Sequence, residues 1–189
     1  MSKRISLRQF QENLTRRLAE SRTADRRGLL GVLAGDEHWL LSLPDTGEIM
    51  TPPALAPVPL THEWYRGLVN VRGVLYSVVD LSRFHNGPPI PSPSLQSRLL
   101  LVGARQNVHS AILVSRVLGL RNEEDFELDT EGADSRPWVS GHLRDASNQL
   151  WLRLDISQLL NNSVFLDAGL GWGQGIIPSN IFNQRSANQ

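Results

Sequence analysis

The chain has 189 residues, enough for one ordinary domain or for two small ones that share an interface. Lysine plus arginine and aspartate plus glutamate each total 19, so the formal charge is zero, which argues against a chain built mainly to hold nucleic acid or an anionic membrane. The sequence has no cysteine, which excludes disulfides, thiolate metal sites and cysteine nucleophiles.

The first 27 residues are predicted to be a helical extension, in which an amphipathic helix is followed by a polar connector at 21–27. Apolar residues recur at helical spacing from Leu7 to Leu18, and Ser6 with Gln9 matches a capping box. The stripe either docks on its own domain or serves as a docking helix for a partner. The segment lacks the pattern of a secretory signal, and no stretch of the sequence reaches the roughly 18 apolar residues that span a bilayer. We therefore expect a cytoplasmic protein.

From Gly28 onward, short apolar segments alternate with glycine, proline and aspartate turns. Strands are predicted at 29–33, 39–43, 68–71, 74–81, 98–102, 108–114, 138–143 and 150–154, and a short closing helix at 155–160. The segments contain no strand-helix-strand alternation of the kind that builds a parallel sheet. Many short strands separated by turn residues predict an all-β barrel or sandwich.

Two segments are predicted to be irregular. Residues 123–132 are acidic, but their spacing is not that of a calcium-binding loop, so we expect a solvated loop. Residues 163–189 are rich in glycine and asparagine, and the run 169–175 lacks the lysine and the glycine spacing of nucleotide loops. We expect a flexible tail, in which Trp172 and the pair Ile176-Ile177 could form a short docking strip.

The sequence shows no arranged catalytic or metal-binding residues. Its five histidines are scattered and have no companions at metal-ligand spacing, so each is interpreted as a surface or structural histidine. We therefore predict that the protein is not an enzyme and that it uses no metal or cofactor.

The most informative segment runs from Trp64 to Leu81. Gly67 and Gly73 mark tight backbone positions on either side of a short strand. Arg72 comes just before a glycine turn, so its guanidinium is expected at the edge of a barrel. Asp80 ends the next strand, where its carboxylate can accept backbone N–H bonds or pair with an arginine. On these features alone, a turn with a local ion pair explains the segment equally well.

This segment resembles the signature of the CheW family, in which a strand reading G-x-x-N-x-R-G precedes an apolar strand that ends in D-L. The matching residues are Gly67, Asn70, Arg72, Gly73, Asp80 and Leu81. The resemblance continues through the segments 98–102, 109–120 and 149–160, and it covers about residues 29–160. A closer similarity is to the PilI-type branch of the family, the adaptors of type IV pilus twitching systems, through residues 39–41, 47–49, 57–60, 70–80 and 114–122.

The resemblance implies a fold of two small five-stranded SH3-like β-barrels. The barrels would lie within residues 28–162, with a helical extension at 1–27 in front and the tail at 163–189 behind. It implies a non-enzymatic adaptor without a cofactor, which bridges a methyl-accepting chemoreceptor to a CheA-type histidine kinase. Such an adaptor is cytoplasmic, belongs to receptor arrays at the inner membrane and reaches the membrane only through the receptor.

The resemblance also implies which residues serve the interface. Arg72, flanked by Val71 and Gly73, is expected to form the turn that contacts a partner. The groove between the barrels is expected to be lined by Leu113, Val114 and Val117. The remaining signature residues, Gly67, Asn70 and Asp80, are expected to be structural, with Asp80 supporting the turn.

The sequence gives less support to two other functions. Small β-barrels often bind single-stranded nucleic acid, but this requires aromatic platforms among basic residues. Aromatic residues make up only 6% of the chain, and the arginines are dispersed. A hydrolase has no arranged residues to support it. The sequence therefore favours the adaptor over both.

Overall fold

The computed structural model describes residues 28–92, 94–130, 132 and 134–170. The predicted helical extension at 1–27 and most of the predicted tail lie outside the described residues. Within the described part, the strands are β1 Gly28–Ala34, β2 Glu37–Ser42, β3 Thr46–Met50, β4 Tyr65–Val71, β5 Val74–Asp80, β6 Arg98–Val102, β7 Ser110–Val114, β8 Arg116–Asn122, β9 Phe126–Leu128, β10 Val139–Asp145 and β11 Leu150–Leu154. Three short helices accompany them: α1 Leu81–Phe84, α2 Ile156–Asn161 and α3 Ser163–Leu166. Among these described elements, no helix is long and apolar enough to cross a membrane.

The strands form two mixed sheets. The first has the order β8-β1-β2-β11-β10-β9, and the second has the order β3-β6-β7-β5-β4. Strands β2 and β11 run parallel in the first sheet, and β5 and β7 run parallel in the second, whereas the other neighbours are antiparallel. The fold class predicted from the sequence, all-β with short strands, is therefore confirmed.

The strand count of the first sheet differs from the prediction, because it has six strands rather than five. The additional strand, β9, lies in the segment predicted to be a solvated acidic loop. Phe126 of this strand packs edge-on against Trp151, with ring centroids 5.6 Å apart. This partly buried contact holds a segment rich in carboxylates beside β10. Because acidic residues dominate the composition of the segment, its one aromatic residue, Phe126, was not enough to predict a strand from the sequence.

The eight predicted strands pair two by two along the chain. The pairs β1-β2, β4-β5, β6-β7 and β10-β11 are antiparallel neighbours, and each coincides with two predicted strands to within a few residues. Strand β3 was not predicted, because Gly47 and the polar Thr46 and Glu48 give its five residues no continuous apolar run. The predicted closing helix is α2, which begins after Asp155.

The apolar strands are buried on both faces, so the two sheets share one large core and the first sheet has a second, smaller one. Leu30 and Leu41 face the large core, which extends across both sheets. Their neighbours Leu29 and Leu40 face the opposite way and form the small core with Leu143 and Trp151. Strands buried on both faces have nearly continuous apolar sequences rather than alternating ones, which explains the run Leu29–Leu33.

The packed fold continues into the segment predicted to be the tail. Asn162 caps α3 by accepting a hydrogen bond from the backbone N–H of Val164 at 2.9 Å. Phe165 is buried against Trp64 and Phe84, with ring centroids 6.1 and 5.5 Å away. The segment then forms a bridge between Gly169 and Thr61. Residues 163–170 are therefore packed on the domain.

Gly67 is a point at which the fold admits only glycine. Its φ is +115°, a region that side-chain-bearing residues rarely adopt, and a Cβ at this position would lie 2.2 Å from the carbonyl oxygen of Ala56. That oxygen accepts a hydrogen bond from the N–H of Leu68 at 2.8 Å, so it cannot move away without loss. Gly67 thus allows the segment around Ala56 to pair closely alongside β4.

We expect Gly67→Ala to lower the free energy of unfolding by about 2–4 kcal/mol, because it combines backbone strain with a clash against a bonded carbonyl. Gly73→Ala is the matched control. Gly73 also has a positive φ, of +87°, but its Cβ would meet no atom within 4 Å, so only about 1 kcal/mol of strain is expected. Urea unfolding of both variants measures the difference, and equal losses would contradict the steric explanation.

Candidate protein-interaction site

The site predicted around Arg72 is the tip of the β4–β5 hairpin. Val71 pairs with Val74, so Arg72 and Gly73 are the two residues of the connecting turn. Both have positive φ values, 51° and 87°, as a type I′ turn requires. Asn70 closes the turn, because its side-chain oxygen accepts a hydrogen bond from the Gly73 N–H at 2.8 Å. The signature residues therefore build one tight, projecting turn.

Arg72 is an unfavourable residue for this position. The first residue of a type I′ turn is usually asparagine, aspartate or glycine, since a left-handed conformation strains other side chains by roughly 1–2 kcal/mol. The Arg72 side chain is also 79% exposed, so burial does not compensate for the strain. Strained residues of this kind cluster at sites of function. The hairpin therefore presents a guanidinium to the surroundings at some loss of stability.

A carboxylate from the opposite edge of the sheet holds this guanidinium in place. Glu48 lies on β3, which is one edge strand of the second sheet, whereas Arg72 belongs to the hairpin at the other edge. Two nitrogen–oxygen pairs join them, each at 2.9 Å, in a fork geometry. This contact shows that the second sheet curls until its two edges meet. An exposed ion pair stabilises the fold by about 1 kcal/mol or less, so its main effect is to orient Arg72.

Apolar side chains flank the ion pair along the chain. Ile49 follows Glu48 and is 40% exposed, and Leu75 follows the turn and is 55% exposed. Arginine and exposed apolar side chains are both common in protein interfaces. We call the group of Glu48, Ile49, Arg72, Gly73 and Leu75 the hairpin surface. Glu48 was not predicted as a site residue, because it lies 24 positions before Arg72 and no sequence pattern links the two.

Asp80 lies at the opposite end of β5 and supports a different turn from the one expected. Its carboxylate is fully buried. One oxygen accepts the N–H of Arg83 at 3.0 Å and so caps α1, and the other accepts the N–H of Ile90 at 2.8 Å and Nη1 of Arg66 at 2.9 Å. Asp80 is the last residue of β5, so the length of this strand separates it from the Arg72 turn. Asp80 therefore stabilises the connection between β5 and β6.

The residues predicted to line a groove are placed differently from that expectation. Leu113 and Val114 on β7 have no exposed surface and belong to the large core, and Val71 is also buried there. Val117 on β8 is half-buried and packs against the same core. The two β7 side chains thus contribute to the packing between the sheets and offer no surface to a partner in this structure. The family resemblance implied a groove at these positions, and an apolar sequence pattern does not distinguish a groove from a core.

A polar cluster joins the two halves of the molecule. His85 follows α1, its side chain is 2% exposed, and its ring stacks on Trp39 of β2 at 4.7 Å. Its Nε2 accepts a hydrogen bond from the indole N–H of Trp138 at 2.8 Å, which requires a neutral ring nitrogen. The guanidinium of Arg136 lies over the Trp39 ring, 5.1 Å from its centroid. This arrangement gives His85 a structural role, in agreement with the interpretation of the histidines.

The charged groups of this cluster come from β2 and from the loop that precedes β10. Arg136 makes a fork contact with Asp134 and also binds Glu37, at 3.1 Å. The hydrogen bonds from Arg136 lower the pKa of Asp134 to about 2. Burial lowers the pKa of His85, an effect that the nearby carboxylate of Glu37 only partly opposes. Among the described residues, no group of three or more potential ligands could hold a metal ion.

The lowered pKa of His85 predicts a loss of stability in mild acid. The unfolded chain takes up a proton near pH 6.5, whereas the folded chain resists it, so the stabilisation is complete above that pH and is lost as the pH falls below it. We expect His85→Gln, whose amide oxygen can accept the Trp138 N–H, to flatten the dependence of the urea midpoint on pH between about 5.5 and 7.

A second histidine also contributes to the dependence of the urea midpoint on pH. Burial also lowers the pKa of His38, so the variant should retain part of the slope. The double variant with His38→Gln should remove most of the remainder. A His85→Gln protein with the full slope of the unsubstituted chain would contradict the neutral histidine in this cluster.

The fold and the hairpin surface define a small, mostly β domain with a tight, projecting turn at Arg72 and Gly73. The chain belongs to the CheW-like domain family, whose model matches residues 28–164. This confirms the family resemblance read from the signature between Gly67 and Leu81. Members of this family act as scaffolds rather than enzymes.

Two known proteins illustrate the relationship. The chain is 26% identical over 167 residues to Protein PilI of Pseudomonas aeruginosa, which covers 82% of this chain and 90% of that protein. Its structure resembles that of the scaffolding protein TtCheW from Thermoanaerobacter tengcongensis, with a TM-score of 0.60 and 18% identity. That match covers 74% of this chain and 95% of the other, and it supports the fold.

Proposed function

We propose that this protein is an adaptor that couples a methyl-accepting chemoreceptor to a CheA-type histidine kinase. Its membership of a family of scaffold proteins and its similarity to PilI support this function. The observation that carries the proposal is Arg72, a strained and exposed arginine on a turn held rigid by Asn70 and Glu48. A protein interface gains from such a side chain because little conformational freedom is lost on binding.

An adaptor of this kind catalyses no reaction and acts by holding two partner proteins together. It binds the receptor through one surface and the kinase through another, so the second contact forms at a high effective concentration. The two sheets offer separate outer surfaces around a shared core, which suits two simultaneous contacts. We propose that the hairpin surface provides one of them.

The similarity to PilI supports a particular output. We propose that the protein acts in a chemosensory array that controls type IV pilus twitching motility. In this array the adaptor would lie at the cytoplasmic face of the inner membrane and reach the membrane only through the receptor.

Single-stranded nucleic acid binding, the alternative function, gains no support from the fold. Base stacking needs an exposed aromatic face, and the four described tryptophans, Trp39, Trp64, Trp138 and Trp151, are all buried. Titration with labelled oligonucleotides at low salt should therefore show no tight, salt-sensitive binding.

Co-purification from the native cells tests the proposed function. The tagged full-length protein should retain both a histidine kinase and a chemoreceptor, and a deletion strain should lose twitching. Reconstitution gives a sharper result: kinase autophosphorylation in the presence of receptor should depend on the adaptor. Retention of neither partner, or kinase control that does not change when the adaptor is left out, would contradict the proposal.

A further inference from the structure

Residues 163–170, which we call the strap, cover a cluster of aromatic side chains. The cluster lies where the two sheets meet, since Trp64 precedes β4, Phe84 ends α1 and Trp138 precedes β10. The ring centroids of Trp64 and Phe84 are 5.1 Å apart, and those of Phe84 and Trp138 are 5.0 Å apart. Phe165 of the strap packs on Trp64 and Phe84. The strap therefore covers one side of this cluster.

One large side chain anchors the strap. Phe165 is buried, whereas Val164 and Leu166 on either side of it are 59% and 68% exposed. Ala168 is half-buried against the same core, and the other side chains from residue 163 to residue 170 are exposed. Ordering each residue of the strap costs conformational entropy, and the burial of a single ring is the main gain that offsets it. Segments with so few buried apolar contacts belong to the low-stability end of a fold.

Backbone hydrogen bonds join the strap to the segment that precedes β4. The N–H of His62 donates to the carbonyl oxygen of Ala168 at 2.9 Å, and the N–H of Leu170 donates to that of Leu60 at 2.8 Å. Leu60 has a φ of +58°, which is an outlier for a bulky residue, and strained residues of this kind cluster in segments that switch between arrangements. Movement of the strap breaks both bonds. It leaves intact the next bond of the same segment, from the N–H of Tyr65 to the carbonyl oxygen of His62 at 2.9 Å.

We propose that the strap is a displaceable cover, which opens as a unit while the domain stays folded. Opening removes Phe165 from Trp64 and Phe84 and uncovers an aromatic site at the junction of the two sheets. The strap itself shows what this site accepts, namely an aromatic side chain on a single turn of helix. A partner segment with this pattern takes the place of the strap. The inference concerns the folded chain and does not depend on the proposed adaptor function.

Native-state hydrogen exchange of the full-length protein, followed by NMR, tests the opening. The amides of His62 and Leu170 should exchange at least about a hundred times faster than those of the central strand β7, because a local opening needs less free energy than global unfolding. Low concentrations of urea should not change these two rates, since a local opening exposes little surface. The amide of Tyr65 is the internal control and should stay as protected as the domain.

Phe165→Ala should shift the strap towards its open state. We expect exchange at His62 and Leu170 to become about a hundred times faster, because the substitution removes the buried ring that anchors the strap. Exchange at Tyr65 should change far less. Leu166→Ala is the matched control, since Leu166 is the next residue of the same helix and is 68% exposed. It should leave all of these rates within about twofold of those of the unsubstituted chain.

A synthetic peptide with the sequence of residues 161–170 probes the uncovered site. When the peptide is added to the full-length Phe165→Ala protein at millimolar concentration, it should bind saturably and slow exchange at His62 again about tenfold, because it competes with a tethered strap whose effective concentration is in the millimolar range. The same peptide carrying the Phe165→Ala change is the control and should have no effect.

Three results would overturn the proposal. If His62 and Leu170 exchange as slowly as β7, the strap is a fixed part of the domain. If Phe165→Ala speeds exchange at Tyr65 as much as at His62, Phe165 is a core residue of the whole domain rather than the anchor of the strap. If the native peptide has no effect, or if the peptide without the ring acts equally well, the uncovered site does not accept an aromatic side chain.

Discussion

Asp80→Ala is expected to lower the free energy of unfolding by about 3–5 kcal/mol, the range for removing one partner of a buried ion pair. The substitution removes the acceptor of three hydrogen bonds at once, from Arg66, Arg83 and Ile90. It leaves a partly buried guanidinium without its carboxylate and the N–H of Ile90 without a partner. The loss should appear as a lower midpoint in urea unfolding, followed by circular dichroism.

Asp155→Ala is the control for the capping contribution. Asp155 begins α2 as Asp80 begins α1, by accepting the N–H of the residue three positions later, here Gln158 at 2.9 Å. It has no buried arginine partner, so its removal should be worth only about 1 kcal/mol. The difference between the two variants measures the buried network. Similar losses would show that Asp80 serves only as a helix cap.

Arg72→Glu is expected to abolish detectable retention of a partner while leaving the fold intact. The substitution reverses the charge at the centre of the hairpin surface and places a carboxylate beside Glu48. Charged arginine contacts at the centre of interfaces commonly contribute about 2 kcal/mol or more, so the affinity should fall at least about thirtyfold. Pull-down and titration with the purified kinase and receptor fragment measure this loss.

Two further variants separate binding from stability. Arg72→Asn suits the left-handed turn and should raise the free energy of unfolding by about 0.5–1 kcal/mol while still weakening association. The exchange of charges in Arg72→Glu with Glu48→Arg restores the internal ion pair. If the exchanged protein binds normally, the ion pair matters and Arg72 does not contact a partner. Unchanged affinity in Arg72→Glu alone would remove the hairpin from the interface.

The strand pattern was predictable because it depends on local chemistry. Turn residues such as Gly35-Asp36 and Arg72-Gly73 separate apolar runs, and each run became a strand. The acidic segment around Phe126 and the polar strand β3 were not predictable. Their pairing depends on contacts with distant strands, such as that between Phe126 and Trp151, which composition does not reveal.

In the candidate site, too, some features were predictable from the sequence and others were not. The sequence by itself determined the turn at Arg72 and Gly73, the family and the apolar character of Leu113 and Val114, since these follow from residue types at short spacing. Only the tertiary structure decided what surrounds them. The curl of the second sheet brings Glu48 to Arg72, and the packing of the two sheets encloses β7 on both faces. Long-range contacts of this kind arise from sheet curvature and packing, and a one-dimensional pattern does not contain them.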